Sequence, residues 1–264
     1  MGKSFKFIFC VFLSSSLWGQ DLFAQFDVSA GLGGRTYPKS GSIEATAGYS
    51  YVFWGDYKES GDLNPWYGYV RPYVKPGLST NYNSLETGIE LFPVSFLGFR
   101  AFNKEASNTG NIEAFDCQVI DCQYDTNNTT TEVDLVLGYK SVFLGARLGN
   151  QKFEESEVPN QTTPIIDVRS ALTWIPNEDD ELDYTFCFLG YRISEDWQAV
   201  ALYNKYEIER TGDESESAYL FVNKNWGKLS TGIGVGTFES ELKEEKTSVI
   251  FNLKWTLLKG PSLF

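Results

Sequence analysis

The sequence predicts an all-β fold, an antiparallel transmembrane β-barrel of about twelve strands behind an N-terminal signal peptide. Three observations predict it. Segments of about ten residues alternate apolar and polar positions with a period of two, repeatedly along the chain. Aromatics make up 16% of the 264 residues, with 24 glycines, one methionine and no histidine, a composition of strands and turns. The N-terminus alone departs from this pattern, with a short basic stretch followed by an apolar run.

That N-terminal departure is read first. Lys3 and Lys6 precede the apolar run Phe7 to Leu13, then Ser14-Ser15-Ser16, and Leu22-Phe23-Ala24 places a small residue before a cut. This is the pattern of a secretory signal peptide, so residues 1–24 are expected to be removed, leaving one domain over 25–264. The run is shorter than the ~20 apolar residues a spanning helix needs. Cys10 lies inside the run, and no lipobox stands near the cut, which argues against a lipid-anchored product. No other stretch is apolar enough to span as a helix. Export permits disulfides. Cys117 and Cys122, in Phe115-Asp-Cys-Gln-Val-Ile-Asp-Cys-Gln-Tyr124, are expected to pair and to shape a loop tip, because the ring they close is too short to hold a fold. A metal pair is the alternative; it lacks any histidine or second cysteine pair to complete it. Cys187 is left as a free thiol.

The strand signal is clearest in five segments. Ile43-Ala45-Ala47-Tyr49-Tyr51-Phe53 alternates with Glu44, Thr46, Gly48 and Ser50. Leu85-Thr87-Ile89-Leu91 alternates with Glu86, Gly88 and Glu90. Val133-Leu135-Leu137-Tyr139, Leu229-Thr231-Ile233-Val235 and Val249-Phe251-Leu253-Trp255-Leu257 behave alike. Extended over the chain, the reading gives segments 26–36, 42–54, 67–80, 84–92, 94–105, 131–140, 142–153, 165–175, 182–193, 197–209, 217–226, 228–239 and 247–258. That number is odd, whereas a bacterial single-chain barrel has an even number with both ends on one side. The conflict falls between 142 and 193, unless 67–80 is misread, since Pro72 and Pro76 cannot donate to a ladder. Twelve strands are expected, with ten and fourteen open.

A soluble β-sandwich alternates too, with its apolar face turned inward. Three features favour the membrane barrel. The segments match the 9–11 residues or so that a tilted spanning strand needs. Aromatics gather near segment ends, at Trp54, Trp66-Tyr67, Trp174, Trp197 and Trp226, where interfacial girdles would lie. Tight connections at 91–94, 139–142, 193–196 and 226–228 alternate with longer polar ones at 106–131, 154–163, 210–217 and 239–246.

With signal, repeated amphipathic strands, tight turns and a C-terminal amphipathic strand, the whole chain resembles bacterial outer-membrane β-barrel proteins of Gram-negative organisms. The resemblance is one of pattern and carries no specific family motif. It implies location in the outer membrane, contact with its lipid and lipopolysaccharide, and delivery by the barrel-assembly machinery. One departure is that such chains end on an aromatic within the last strand, whereas Lys259-Gly-Pro-Ser-Leu263 separates Phe251 to Leu257 from Phe264.

Chemistry narrows the function. The lack of histidine excludes a Ser-His-Asp triad, a Cys-His pair and histidine metal ligands. The barrel enzymes of the outer membrane use a catalytic histidine as a class, so the resemblance carries no catalytic residue to this chain, and no enzyme is expected. Net charge of −13 argues against nucleic acid. Acidic stretches such as Glu178-Asp-Asp-Glu181 lack the spacing of a Ca²⁺ loop and read as solvated. Gly31-Leu-Gly-Gly34 and Gly232-Ile-Gly-Val-Gly236 complete no dinucleotide fingerprint. No metal or cofactor is implied. Alternation sends Glu44, Arg71, Lys75, Glu86, Glu90, Arg100, Glu132, Asp134, Arg147, Asp167, Arg169, Asp183 and Lys254 to the lumen, where charges of both signs are expected to pair. A narrow, ion-pair-filled barrel with a structural or surface-interaction role is therefore expected. A passive porin-like channel for small solutes is the alternative, and a soluble periplasmic β-sandwich binding module the third. The protein is expected to fractionate with outer membranes and to show heat-modifiable gel mobility; recovery as a soluble periplasmic monomer would contradict this reading.

Overall fold

The computed structural model describes residues 24–55, 57, 66–79, 82–108, 110, 117, 122–154, 164–167, 170–174 and 180–261. The proposed signal segment, apart from Ala24, lies outside the described residues. The strands are β1 (Ala24–Thr36), β2 (Lys39–Gly55), β3 (Tyr67–Leu78), β4 (Tyr82–Val94), β5 (Leu97–Asn108), β6 (Tyr124–Tyr139), β7 (Val142–Glu154), β8 (Ile165–Asp167), β9 (Leu172–Trp174), β10 (Glu181–Arg192), β11 (Trp197–Ile208), β12 (Glu214–Trp226), β13 (Leu229–Ser240) and β14 (Lys243–Leu258). Twelve of them close an antiparallel barrel in which β7 pairs with β10 and β14 returns to β1; β8 and β9 form a separate two-stranded sheet. The closing seam runs from Val28↔Leu258 to Arg35↔Ile250.

The odd segment is thus 165–175. It is no wall strand, but a hairpin that sits inside the barrel. Its alternation is genuine: Ile165, Leu172 and Trp174 are all buried, because one face packs on the wall. A hairpin packed on one side produces the same period as a spanning strand. Segment 67–80, in contrast, is a full strand despite its prolines. The β3–β4 register runs unbroken from Tyr69↔Phe92 to Leu78↔Asn83. On the β2 side the ladder has no partners for residues 71–72 and 75–76, so the missing proline donors fall where pairing is already interrupted.

Strand ends also depart from the reading. The stretch 124–130, expected as loop, is strand, and the expected loop 239–246 is a tight turn at 241–242 between β13 and β14. Leu91 to Val94 is the end of β4, and the turn comes at 95–96. The wall strands run from 12 to 17 residues, longer than the bilayer requires, so polar residues are carried past the membrane as strand. On this outer wall Lys205 Nζ lies 2.5 Å from Glu214 and Lys152 Nζ 2.6 Å from Glu181.

Both termini lie at one end of the barrel, with the turns at 95–96, 140–141, 193–196 and 227–228. The 109–123 and 155–180 connections lie at the opposite end. Cys117 and Cys122 are bonded to each other in the first of these, with Cα atoms 5.5 Å apart. The barrel exterior is an apolar belt that includes Leu32, Ile89, Val133, Leu148, Leu220, Ile233 and Phe251, all exposed. Trp54, Trp66, Tyr139, Tyr191, Trp197, Trp226 and Trp255 are exposed near the termini end and form one girdle. Lys224 Nζ stands 4.8 Å from the Trp197 ring and 4.6 Å from that of Trp226. Trp174 does not belong to the girdle, since it is 2% exposed in the hairpin.

An apolar belt of this kind tolerates no charge near its middle. Ile233→Arg is expected to destabilise the barrel by about 2–4 kcal/mol on refolding into lipid vesicles, while leaving a detergent-solubilised barrel less affected. A loss within about 0.5 kcal/mol in lipid would argue against this face being the lipid face.

Candidate functional site: a charge-laddered lumen

The inward face of β1 and β3 to β7 carries one continuous run of alternating charge. Arg71 grips Asp27 with two nitrogens, Nη2 to Oδ1 at 2.6 Å and Nε to Oδ2 at 2.8 Å. Its Nη1 lies 3.2 Å from Glu90, which also faces Arg100 at 3.5 Å. Arg100 continues to Glu132 at 3.7 Å and to Asp134 at 2.8 Å. Arg147 closes on Asp134 at 2.6 Å and on Glu132 at 3.3 Å. The Tyr184 hydroxyl donates to Glu132 from β10. A second tier places Lys75 3.4 Å from Glu44 and 3.6 Å from Glu86, which also accepts from Tyr73 Oη at 2.8 Å.

Two side chains in this run cross a whole strand. Arg71 on β3 reaches Asp27 on β1 by passing over β2 at Gly48, where a Cβ would fall on the guanidinium. Tyr184 on β10 reaches Glu132 on β6 by passing over β7 at Gly149, where a Cβ would meet the phenol ring. Glycine at these two positions is a matter of space, the absent side chain leaving a channel along the wall.

The residues sent to the lumen by alternation therefore divide. Glu44, Arg71, Lys75, Glu86, Glu90, Arg100, Glu132, Asp134 and Arg147 are brought together in the two tiers. Lys254 faces the lumen from β14 and has no carboxylate within 4.0 Å among the described residues. Asp183 is misplaced by the reading: it is exposed on the outer wall, where Asn150 Nδ2 donates to it at 2.9 Å. The cause is a frame error, since Leu182, Tyr184 and Phe186 hold the inward positions of β10. Asp167 sits in the hairpin, where its Oδ2 accepts from Ser170 N at 3.0 Å and Ser170 Oγ at 2.7 Å. Arg169 lies outside the described residues. Asp27 and Tyr184 were missed, although Asp27 between Phe26 and Val28 carries the same alternation as the rest.

The two ends of the lumen are filled differently. At the end away from the termini, hairpin residues Ile165, Leu172 and Trp174 pack on Tyr124, Phe153, Leu182 and Ile208. Phe153 and Trp174 stack at 4.2 Å between ring centroids. Across the lumen, Arg35 lies 4.7 Å above the Phe238 ring and within electrostatic reach of Asp167. At the termini end Val52, Tyr69 and Phe92 form a small cluster, joined by Tyr57 and Tyr67. The segment after β14 turns back into the mouth. Gln25 donates to the Lys259 carbonyl, and Ser50 Oγ donates to that of Pro261 at 3.2 Å, burying Gly260 and Pro261. Between these fillings lies a cavity of about 1190 Å³, lined by the ladder on one wall and by Ser29, Thr46, Asn204, Ser230 and Lys254 elsewhere. Among the described residues no group of three or more acidic or cysteine side chains is placed to hold a metal ion.

No family model matches the chain. No curated protein matches it in sequence. Among solved structures, an outer-membrane channel from Pseudomonas putida F1 is similar over 90% of this chain and 97% of its own, with a TM-score of 0.51 and 8% identity. The NanC porin is similar over 87% of this chain and 100% of its own, with a TM-score of 0.46 and 9% identity. At such identities the likeness concerns the fold. The closed twelve-strand barrel and its exposed apolar belt, in a fold shared with outer-membrane barrels, define the class: the chain is an outer-membrane β-barrel protein, located in the outer membrane.

The ladder generates a stability test. Arg100→Ala leaves Glu90, Glu132 and Asp134 short of a partner and is expected to destabilise the barrel by up to about 3–5 kcal/mol, less where lumen water reaches the orphaned carboxylates. Gly48→Leu, which leaves every charge in place but blocks the path of Arg71, is expected to lower stability in the same direction. Urea unfolding in lipid that finds both variants as stable as the wild type would contradict a ladder that supports the wall.

Proposed function

We propose that this chain is a non-enzymatic outer-membrane barrel with a narrow, ion-pair-lined lumen closed at its outer end, acting as a structural or surface-interaction element. The observation that carries this reading is the hairpin of β8 and β9, whose Ile165, Leu172 and Trp174 are buried inside the lumen. With both termini on the periplasmic side, as bacterial barrels have them, that plug lies at the extracellular end. The non-enzymatic part is supported by the lack of histidine and by the engagement of the lumen carboxylates with arginine and lysine. On this reading residues 1–24 are cleaved on export, the barrel-assembly machinery inserts 25–264, and the belt contacts lipid and lipopolysaccharide.

A second reading, a passive porin-like channel for small solutes, is favoured by the cavity of about 1190 Å³ and by the similar fold of the Pseudomonas putida channel. Conductance separates the two. In a planar bilayer the wild type is expected to give small or no steady conductance. Replacing Leu172 and Trp174 together with Ala, which thins the plug, is expected to raise it. Large steady conductance from the wild type, unchanged by that replacement, would favour the channel reading.

A further inference from the structure

Two prolines stand in the middle of wall strand β3, where a sheet does not ordinarily accept them. The register that joins Val70 to Tyr51, Val74 to Ala47 and Leu78 to Ile43 sets Pro72 opposite Tyr49 and Pro76 opposite Ala45. Toward β4 the pairing runs through both prolines without a break, whereas toward β2 the bridges of residues 71–72 and 75–76 are missing. The nitrogens of Pro72 and Pro76 therefore point at β2, and the ladder carbonyls of Tyr49 and Ala45 meet no N–H from β3. Beyond Tyr51↔Val70, toward the end away from the termini, the seam keeps only Gly48↔Tyr73 with Ala47↔Val74, and Glu44↔Gly77 with Ile43↔Leu78. In a wall surrounded by hydrocarbon, missing ladder bonds are costly, and a break of a local rule at such a cost points to function.

The side chains around the seam fit a joint that parts. Its outer face is flanked by Ala45, Ala47, Pro72 and Pro76, too short to interlock across it. Tyr49 turns away to Phe26 of β1, at 4.9 Å between ring centroids. On the inner face Lys75 reaches across to Glu44 at 3.4 Å, and Arg71 passes over Gly48 to Asp27 at 2.6 Å. Each of these cations also holds a carboxylate of β4, on its own side of the seam: Glu86 lies 3.6 Å from Lys75, and Glu90 lies 3.2 Å from Arg71. Parting β2 from β3 leaves neither cation without a partner. Of the carboxylates left behind, Glu44 is already 48% exposed, and Asp27 lies within electrostatic reach of Lys254. At the termini end the same seam is clamped, for Trp54 Nε1 donates to the Pro93 carbonyl of β4 at 2.7 Å and Val52 packs with Tyr69 and Phe92. The clamp is the hinge, and the proline stretch is the part that opens.

We propose that the β2–β3 seam is a lateral port, where the strands part between Ala45–Tyr49 and Pro72–Pro76 and join the lumen cavity to the bilayer. Behind the seam Glu44, Thr46, Tyr73 and Lys75 line that cavity. The solute it admits is a membrane-dissolved amphiphile, whose polar part meets charges of both signs at Glu44 and Lys75 while its apolar part stays in lipid. The port lies in the wall, so it goes beyond the reading of the barrel as closed at its outer end and does not depend on it. A seam that merely tolerates its prolines would stay shut, and the two cases differ in whether a reagent confined to lipid reaches the lumen.

The test uses the full mature chain reconstituted in lipid vesicles, with Cys187→Ala to remove the free thiol. A maleimide carried on a phospholipid acyl chain is expected to label Thr46→Cys, a lumen position at the seam, and Ala47→Cys, its lipid-facing neighbour. Asn204→Cys, on the far wall of the same cavity, is expected to stay unlabelled. Pro72→Val with Pro76→Val, which returns both donors, is expected to reduce labelling of Thr46→Cys at least about tenfold and to leave Ala47→Cys unchanged. Heat-modifiable mobility checks that each variant is folded. A second measurement needs no variant: in wild-type hydrogen exchange, peptides over 43–52 and 69–78 are expected to exchange at least about tenfold faster than those over 199–208 and 217–226, where the β11–β12 register is unbroken. An unlabelled Thr46→Cys beside a labelled Ala47→Cys, equal labelling of Thr46→Cys with and without the restored donors, equal labelling of Asn204→Cys, or exchange as slow at β2–β3 as at β11–β12 would each overturn the proposal.

Discussion

A backbone donor or acceptor that enters hydrocarbon without a partner costs several kcal/mol, and a sheet in lipid must therefore have no edge. The β1–β14 seam meets that constraint, and most of the molecule follows from it. Once the sheet is closed, the two faces of every strand face different solvents. Leu32, Ile89, Leu148 and Ile233 lie against lipid, while Asp27, Arg71, Glu90 and Arg100 are turned inward by the same pleat. The chain has no freedom to place these charges elsewhere, because a slip of one residue would move all of them into the bilayer.

Inward charges then have to satisfy one another. Their arrangement by sign, carboxylate, arginine, carboxylate, arginine, from Asp27 to Arg147, gives Arg71 and Arg100 a carboxylate on either side and Arg147 the two carboxylates of β6. A buried charge without a partner is strongly destabilising, whereas a run of this kind spreads its inner charges over more than one neighbour. Neighbouring strands alone would leave gaps in the run, since β2 and the upper part of β7 contribute no charge at the points where Arg71 and Tyr184 cross. Gly48 and Gly149 supply the space for those crossings, so two residues without side chains hold the ladder together.

How much of this was legible follows from the same physics. Period-two alternation marks which residues share a face, so the wall strands and ten of the proposed lumen residues, Lys254 among them, could be read from the chain. It does not say what the face touches. The 165–175 segment alternates because it packs on a wall, and nothing in its residues distinguishes lipid from lumen beneath it. Asp183 failed for a related reason. Glu181, Leu182, Asp183 and Tyr184 place acidic and apolar residues in clean alternation at the rim, where the outward face has left the lipid and is itself polar. Past the end of the membrane the rule of apolar outside and polar inside reverses, and only the strand's register shows where that happens. Asp27 could have been read, but its reach across β2 to Arg71 depends on a glycine whose role appears only when the strands are side by side.

The uneven filling of the lumen has an electrostatic origin. A barrel of about eight strands is filled by its own wall side chains, while 16–18 strands leave an aqueous channel. Twelve strands enclose more space than the walls fill, and here inserted segments supply the difference at both ends: the hairpin at one, and Gly260 and Pro261 beside the aromatic cluster at the other. Lys75, Glu44 and Lys254 line the cavity between them, and the side chains of Lys75 and Glu44 stay 32% and 48% exposed. Apolar side chains there would strip water from these charges, at a cost that grows as the local dielectric falls. Water in the cavity solvates them without any rearrangement of the wall, which is why charged walls and an open cavity belong together in a barrel filled at both ends.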